Sequence, residues 1–98
     1  MAQATGATAA LSRTVTIVNQ RGLHARAAAK FVRLATQYDA AVTVCNADNE
    51  VSALSIMGLM MLAASPGTQI TLRASGRQAE EALTALEDLI CSRFGEGE

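Results

Sequence analysis

This chain has one histidine, and its neighbours suit one kind of chemistry. His24 lies in Arg21-Gly22-Leu23-His24-Ala25-Arg26. An alternating segment ends near Asn19, and an Ala-rich helical run extends from Ala25 to Tyr38. The imidazole therefore falls at or just before a helix N-terminus, with a guanidinium two residues on. The first turn of a helix has backbone N–H groups with no intrahelical acceptor, and the positive end of the dipole lies there. Such an end binds anions. Histidine as a residue type titrates near neutrality, so a nucleophilic ring nitrogen is at hand. A phosphorylated imidazole is high in energy and passes its phosphoryl group on readily. His24 is thus a candidate phosphoryl acceptor, and Arg26 a candidate to hold the anion through charge-assisted hydrogen bonds. The alternatives are an ordinary surface or core histidine and a solvated arginine.

Other chemistries have less support. With no second histidine, a His-ligated metal site is not expected, and no cofactor motif is present. Cys45 and Cys91 are lone cysteines without metal spacing. Core packing is the expectation for both, in the reduced state. A Cys–His nucleophile pair would make the chain a small α/β enzyme, but no second base or triad spacing supports it.

The elements that must position these residues are legible. Ninety-eight residues make one domain, and half are hydrophobic. Only Phe31, Tyr38 and Phe94 are aromatic, so the core is expected to be aliphatic. A net charge of −1 makes no general case for nucleic acid or a membrane surface. No apolar run approaches the ~20 residues of a membrane span. The segment 1–11 lacks lysine, arginine and a long apolar stretch, so it reads as a flexible tail and not as a signal peptide.

Thr14 to Val18 alternates with period two and reads as a first strand. Within the helix at 25–38, Ala28, Phe31, Ala35 and Tyr38 form a buried stripe, and Arg26, Lys30, Arg33 and Gln37 a basic outer face. Ala41 to Cys45 is a second strand. The turn at 46–50 leads to a short third strand, Glu50 to Ala53. Ser55 to Ala64 is a short apolar helix with Ser55 as N-cap. Gly58 stands where a capping box would have Glu or Gln. Ser65-Pro66-Gly67 ends that helix. Gln69 to Ala74 is a fourth strand, and residues 78–94 form a last helix. Its apolar face is Ala79, Ala82, Leu83, Leu86, Leu89, Ile90 and Phe94. The order is β-α-β-β-α-β-α, an α+β arrangement. Strands that alternate need one covered face, so a single mostly antiparallel sheet with three helices on one face is expected.

Gly22-Leu23-His24-Ala25-Arg26 with Ala28, then Ser55-Ile56-Met57-Gly58, the Pro66-Gly67 turn and Ile70-Thr71-Leu72, resemble the HPr family. These are phosphocarrier proteins of the phosphoenolpyruvate-dependent phosphotransferase system. The resemblance covers residues 12–94, leaving 1–11 and 95–98 as tails. It implies an open-faced β-sandwich with sheet order 1-4-2-3. It implies a cytoplasmic monomer whose His24 takes phosphate from Enzyme I and gives it to an Enzyme IIA-type protein, with Arg26 contacting the phosphoryl group. Ser55 falls where many relatives carry a regulatory serine, the target of HPr kinase/phosphorylase. A regulatory module acting through Ser55 alone is the alternative function. Arg26, Lys30, Met57, Leu59 and Met60 are the candidate docking residues; core packing for the apolar ones and a solvated face for the basic ones are the alternatives. One departure stands out: the family's usual His-Ala-Arg-Pro-Ala has Ala27 in place of proline. Alanine keeps the helix and loses rigidity, so altered rate is expected and not lost function.

Overall fold

The structure is a computed structural model that describes residues 10–18, 21–47, 49–62 and 65–95. The elements run β1 (Leu11–Thr16), α1 (Ala25–Ala35), β2 (Ala41–Asn46), β3 (Asn49–Ser52), α2 (Ile56–Leu62), β4 (Gln69–Ser75) and α3 (Ala79–Cys91), with a short 3₁₀ turn at Arg93–Gly95. The four strands form one sheet in the order β1-β4-β2-β3. Every neighbouring pair is antiparallel, with Val15 opposite Ile70, Val44 opposite Leu72, and Val44 opposite Val51. The α+β open-faced sandwich anticipated above is the observed architecture.

Alternation decides which face is covered. Val15, Ile17, Val42, Val44, Ile70, Leu72 and Ala74 are buried under the helices. Their neighbours Thr14, Thr16, Ala41, Gln69 and Arg73 are exposed on the open face. Helix α1 contributes Ala27, Ala28, Phe31 and Ala35 to the core, and α3 contributes Ala79, Ala82, Leu83, Leu86 and Ile90.

Element boundaries differ from the expectation in instructive ways. β1 begins at Leu11, not Thr14. Arg13 points to the helix side of this edge strand, which breaks the apolar pattern. Its guanidinium reaches Glu87 Oε1 and Thr84 Oγ1, both at 3.0 Å, on α3. The folded domain therefore includes Leu11. Residues 1–9 and 96–98, which hold most of the two expected tails, lie outside the described residues.

α1 ends at Ala35 although the apolar period runs on to Tyr38. The reason is a change of hydrogen bonding. Gln37 N–H donates to Leu34 O at 3.0 Å and Tyr38 N–H to Ala35 O at 3.4 Å, bonds to the third residue back that tighten the last turn. α3 likewise stops at Cys91. Arg93 and Phe94 both have φ of 57°, the left-handed region that side chains disfavour. The reversal returns Phe94 to the core, where it is 1% exposed. Lys30 Nζ donates to Phe94 O at 2.8 Å and fastens the turn to α1.

Candidate functional site

Gly22 has φ of 63°, and Leu23 is buried in the core. A left-handed glycine followed by an anchored leucine sets where the chain enters α1. His24 comes next, at the N-cap, with extended backbone (φ −72°, ψ 177°). Its carbonyl accepts the first helical bond, from Ala28 N–H at 2.8 Å. Its side chain makes no capping hydrogen bond and is half-buried. Arg26 is exposed in the first turn, which carries no acidic residue. His24 and Arg26 are thus brought to one helix end, as the spacing predicts. The first-turn N–H groups and the guanidinium create a positive field beside the imidazole.

Ala27 occupies the third helical position and is fully buried. That position precedes the first ladder hydrogen bond, so a proline there removes no helical bond. Lys30, one turn beyond Arg26, is part-buried and bonded to Phe94 O.

The second cluster lies at the start of α2. Ser55 Oγ accepts the N–H of Gly58 at 3.0 Å, and Leu59 N–H donates to Ser55 O at 3.0 Å. Ser55 is therefore the N-cap that its hydroxyl suggests. At the other end, Asn46 Nδ2 donates to Leu62 O at 2.9 Å and caps the last turn. The outer side of α2 is an apolar patch: Met57 is 72% exposed, Met61 81%, and Leu54 and Ile56 are also exposed.

This placement corrects one docking candidate. Leu59 is 0% exposed and belongs to the core, so it cannot meet a partner. It lies on the helix side facing the core cluster, which its neighbours Met57 and Met61 do not share. Met60 is half-buried and packs against the same core. Leu54 was not among the candidates. Leu54 sits in the turn before Ser55, where no periodicity marks a face. The cysteines also depart from expectation: Cys91 is exposed, and Cys45 is half-buried on the open face of β2. Among the described residues no cluster of three or more His, Cys, Asp or Glu could hold a metal ion. No helix among them is long and apolar enough to cross a membrane.

Comparison with known proteins agrees with the geometry. Residues 11–92 match the family model described as the PTS HPr component phosphorylation site. The chain is 50% identical over 88 residues to a phosphocarrier protein HPr of Neisseria meningitidis, covering 90% of this chain and 99% of that one. It is 53% identical over 85 residues to a phosphocarrier protein HPr of Pseudomonas aeruginosa, covering 86% and 94% respectively. The solved structure of HPr-C-His from Thermoanaerobacter tengcongensis superposes with a TM-score of 0.83 at 45% identity, over 88% of this chain and 97% of that chain. With an N-cap histidine, an arginine in the first turn and this sheet order, the chain belongs to the HPr family of phosphocarrier components of the phosphotransferase system.

Proposed function

We propose that His24 accepts a phosphoryl group from phospho-Enzyme I and passes it to an Enzyme IIA-type protein. The observation that carries this is the half-buried imidazole at the N-cap of α1 with Arg26 in the same turn. A lone pair on a ring nitrogen forms the P–N bond as the bond from phosphorus to the donor breaks, and the donor keeps that electron pair. Arg26 and the helix end stabilise the charge on the phosphoryl oxygens in passing. The second transfer repeats the exchange with the acceptor's nucleophile. The protein acts as a stoichiometric carrier in the cytoplasm, as a monomer, without metal or cofactor.

Two surfaces flank the site as docking areas. The apolar patch of α2, centred on Met57, offers adaptable thioether contact with Enzyme I and the acceptor. The α1 face that carries Arg26 and Lys30 suits acidic partners. Ser55 is the regulatory phosphosite, read by a kinase of the HPr kinase/phosphorylase type. A phosphate there meets the first-turn N–H groups of α2 and keeps the fold. It also places a dianion at the edge of the apolar patch, where a partner built for apolar contact cannot solvate it.

Incubation with phosphoenolpyruvate and Enzyme I tests the reading. Acid-labile label on the wild type and none on a folded H24A variant is the expected result. Label of equal amount on H24A refutes His24 as the acceptor. Acid-stable label points to serine and to the regulatory module acting through Ser55.

A further inference from the structure

We infer that the open face of the sheet holds a second ligand site, a trough headed by Arg73 that binds a phosphorylated polyol such as a sugar phosphate. This goes beyond the carrier reading and does not depend on it.

The trough is built by strand alternation. The helices cover one side of the sheet, and on the other side every second residue faces outward. Between β1, β4 and β2 lies an open trough of about 850 Å³. Thr14 and Thr16 line it from β1, Gln69 and Thr71 from β4 and Cys45 from β2, with Arg73 at one end. Thr14 Oγ1 and Thr71 Oγ1 are 3.2 Å apart and share a hydrogen bond across the strands. That bond uses one hydroxyl hydrogen and one lone pair, so the other hydrogen and the remaining lone pairs can meet a ligand.

Arg73 supplies the charge. Charged side chains on sheets commonly guard an edge. β4 lies between β1 and β2, so that role is not open to Arg73. Among the described residues its side chain makes no ion pair, whereas Arg13 pairs with Glu87 and Arg77 with Asp39. Ser12 stands opposite Arg73 on β1, and Thr43 opposite it on β2. Residues directly opposite have Cβ atoms about 4.5–5.5 Å apart. A guanidinium flanked by two hydroxyls suits the three terminal oxygens of a phosphomonoester better than the two of a carboxylate.

The rest of the lining sets the class of molecule. Among the described residues the trough has no carboxylate, no aromatic ring and no large aliphatic side chain. A nucleobase would lack a stacking platform, and an acyl chain an apolar wall. Hydroxyl and amide groups hydrogen-bond the hydroxyls of a polyol. Strand residues rise about 3.3 Å each, so Thr71 and Gln69 follow Arg73 at about 7 Å and about 13 Å. A phosphate at Arg73 therefore leaves the polyol chain beside Thr71 and pointing toward Gln69.

Titration of the full chain with glucose 6-phosphate tests the inference, read by amide NMR and by alkylation of the cysteines. Cys45 is half-buried in the trough, and the exposed Cys91 on α3 is the internal reference. Glucose 6-phosphate should move the N–H signals of Thr14, Gln69, Thr71 and Arg73 and slow alkylation of Cys45 but not of Cys91. The R73Q variant should bind roughly tenfold to hundredfold more weakly, through loss of a charge-assisted hydrogen bond. Glucose and inorganic phosphate, each alone, should bind more weakly than the ester. No shift with glucose 6-phosphate at millimolar concentration overturns the site. Shifts confined to residues 24–28 overturn its placement on the sheet. Equal affinity for inorganic phosphate overturns the polyol half of the assignment, and unchanged affinity in R73Q overturns the phosphate half.

Discussion

Gly58→Ala is predicted to destabilise the protein, against the usual rule for helices. Alanine in place of glycine inside a helix ordinarily stabilises by about 1 kcal/mol. Gly58 is different because of what surrounds its missing side chain. A Cβ there would lie 2.9 Å from Ser55 Oγ and 3.0 Å from both Cβ and Cγ1 of Val51. Favourable carbon contacts lie near ~3.5–4.0 Å. Neither neighbour can retreat freely. Ser55 Oγ is held by the Gly58 N–H bond at 3.0 Å. Val51 Cβ is fixed to the backbone of β3, which is paired with Val44. Overpacking typically costs about 1–3 kcal/mol. Losing the serine cap adds about 0.5–2 kcal/mol. After the propensity gain, the net loss should be near ~2 kcal/mol. For a domain of this size each kcal/mol moves Tm by about 4–8 °C, so a fall of roughly 8–16 °C is expected.

Thermal melts followed by circular dichroism, with urea titrations beside them, measure this. Ser55→Ala alone should cost about 1 kcal/mol through the cap. It also removes the 2.9 Å overlap. In the S55A background, G58A should therefore cost less, by a coupling near ~1 kcal/mol. A Tm for G58A at or above wild type would refute the steric reasoning. An equal cost in both backgrounds would show that Ser55 Oγ has no part in it.

Arg26→Ala should fold normally and slow transfer roughly tenfold to hundredfold, the effect of losing a charge-assisted contact of about 1.5–3 kcal/mol made in the transition state; unchanged single-turnover kinetics would remove Arg26 from the reaction. Ala27→Pro should raise Tm by about 2–8 °C, since a proline in the first turn breaks no ladder bond and stiffens the unfolded chain; a clear fall would mean that the buried site has no room for the ring. Ser55→Asp should keep the fold, because aspartate is itself a good N-cap, and should lower the rate at which His24 receives phosphate. Equal rates for true phosphoserine and unmodified protein would exclude this form of control.

The strand pattern and the start of α1 were legible because each depends on local chemistry. Period-two alternation exposes one sheet face whatever the distant residues do. A histidine ahead of an Ala-rich run becomes an N-cap through backbone geometry alone. The ends of elements were less legible because their causes are distant in sequence. Arg13 hides the first half of β1 until α3 supplies Glu87. The last helix reads as continuous through Phe94, since the apolar spacing persists. Only the core position of Phe94 and the Lys30 anchor reveal the reversal.

The misplacement of Leu59 has a more general cause. In Ile56-Met57-Gly58-Leu59-Met60-Met61-Leu62 every residue but glycine is apolar. A helix of a globular protein is usually apolar along one stripe, and that stripe locates the core. Here both sides are apolar, so hydropathy cannot say which side faces inward. Side-chain shape carries the missing information. The two leucines, Leu59 and Leu62, are the buried positions of α2, and Met57 and Met61 are the exposed ones. Leucine has few well-defined rotamers and suits a close-packed interior, whereas methionine adapts to irregular or changing surroundings. On the function proposed above, the exposed apolar side of α2 is the side that a partner covers part of the time. A carrier that must dock first on a donor and then on a different acceptor needs that kind of face, one that conforms to both partners.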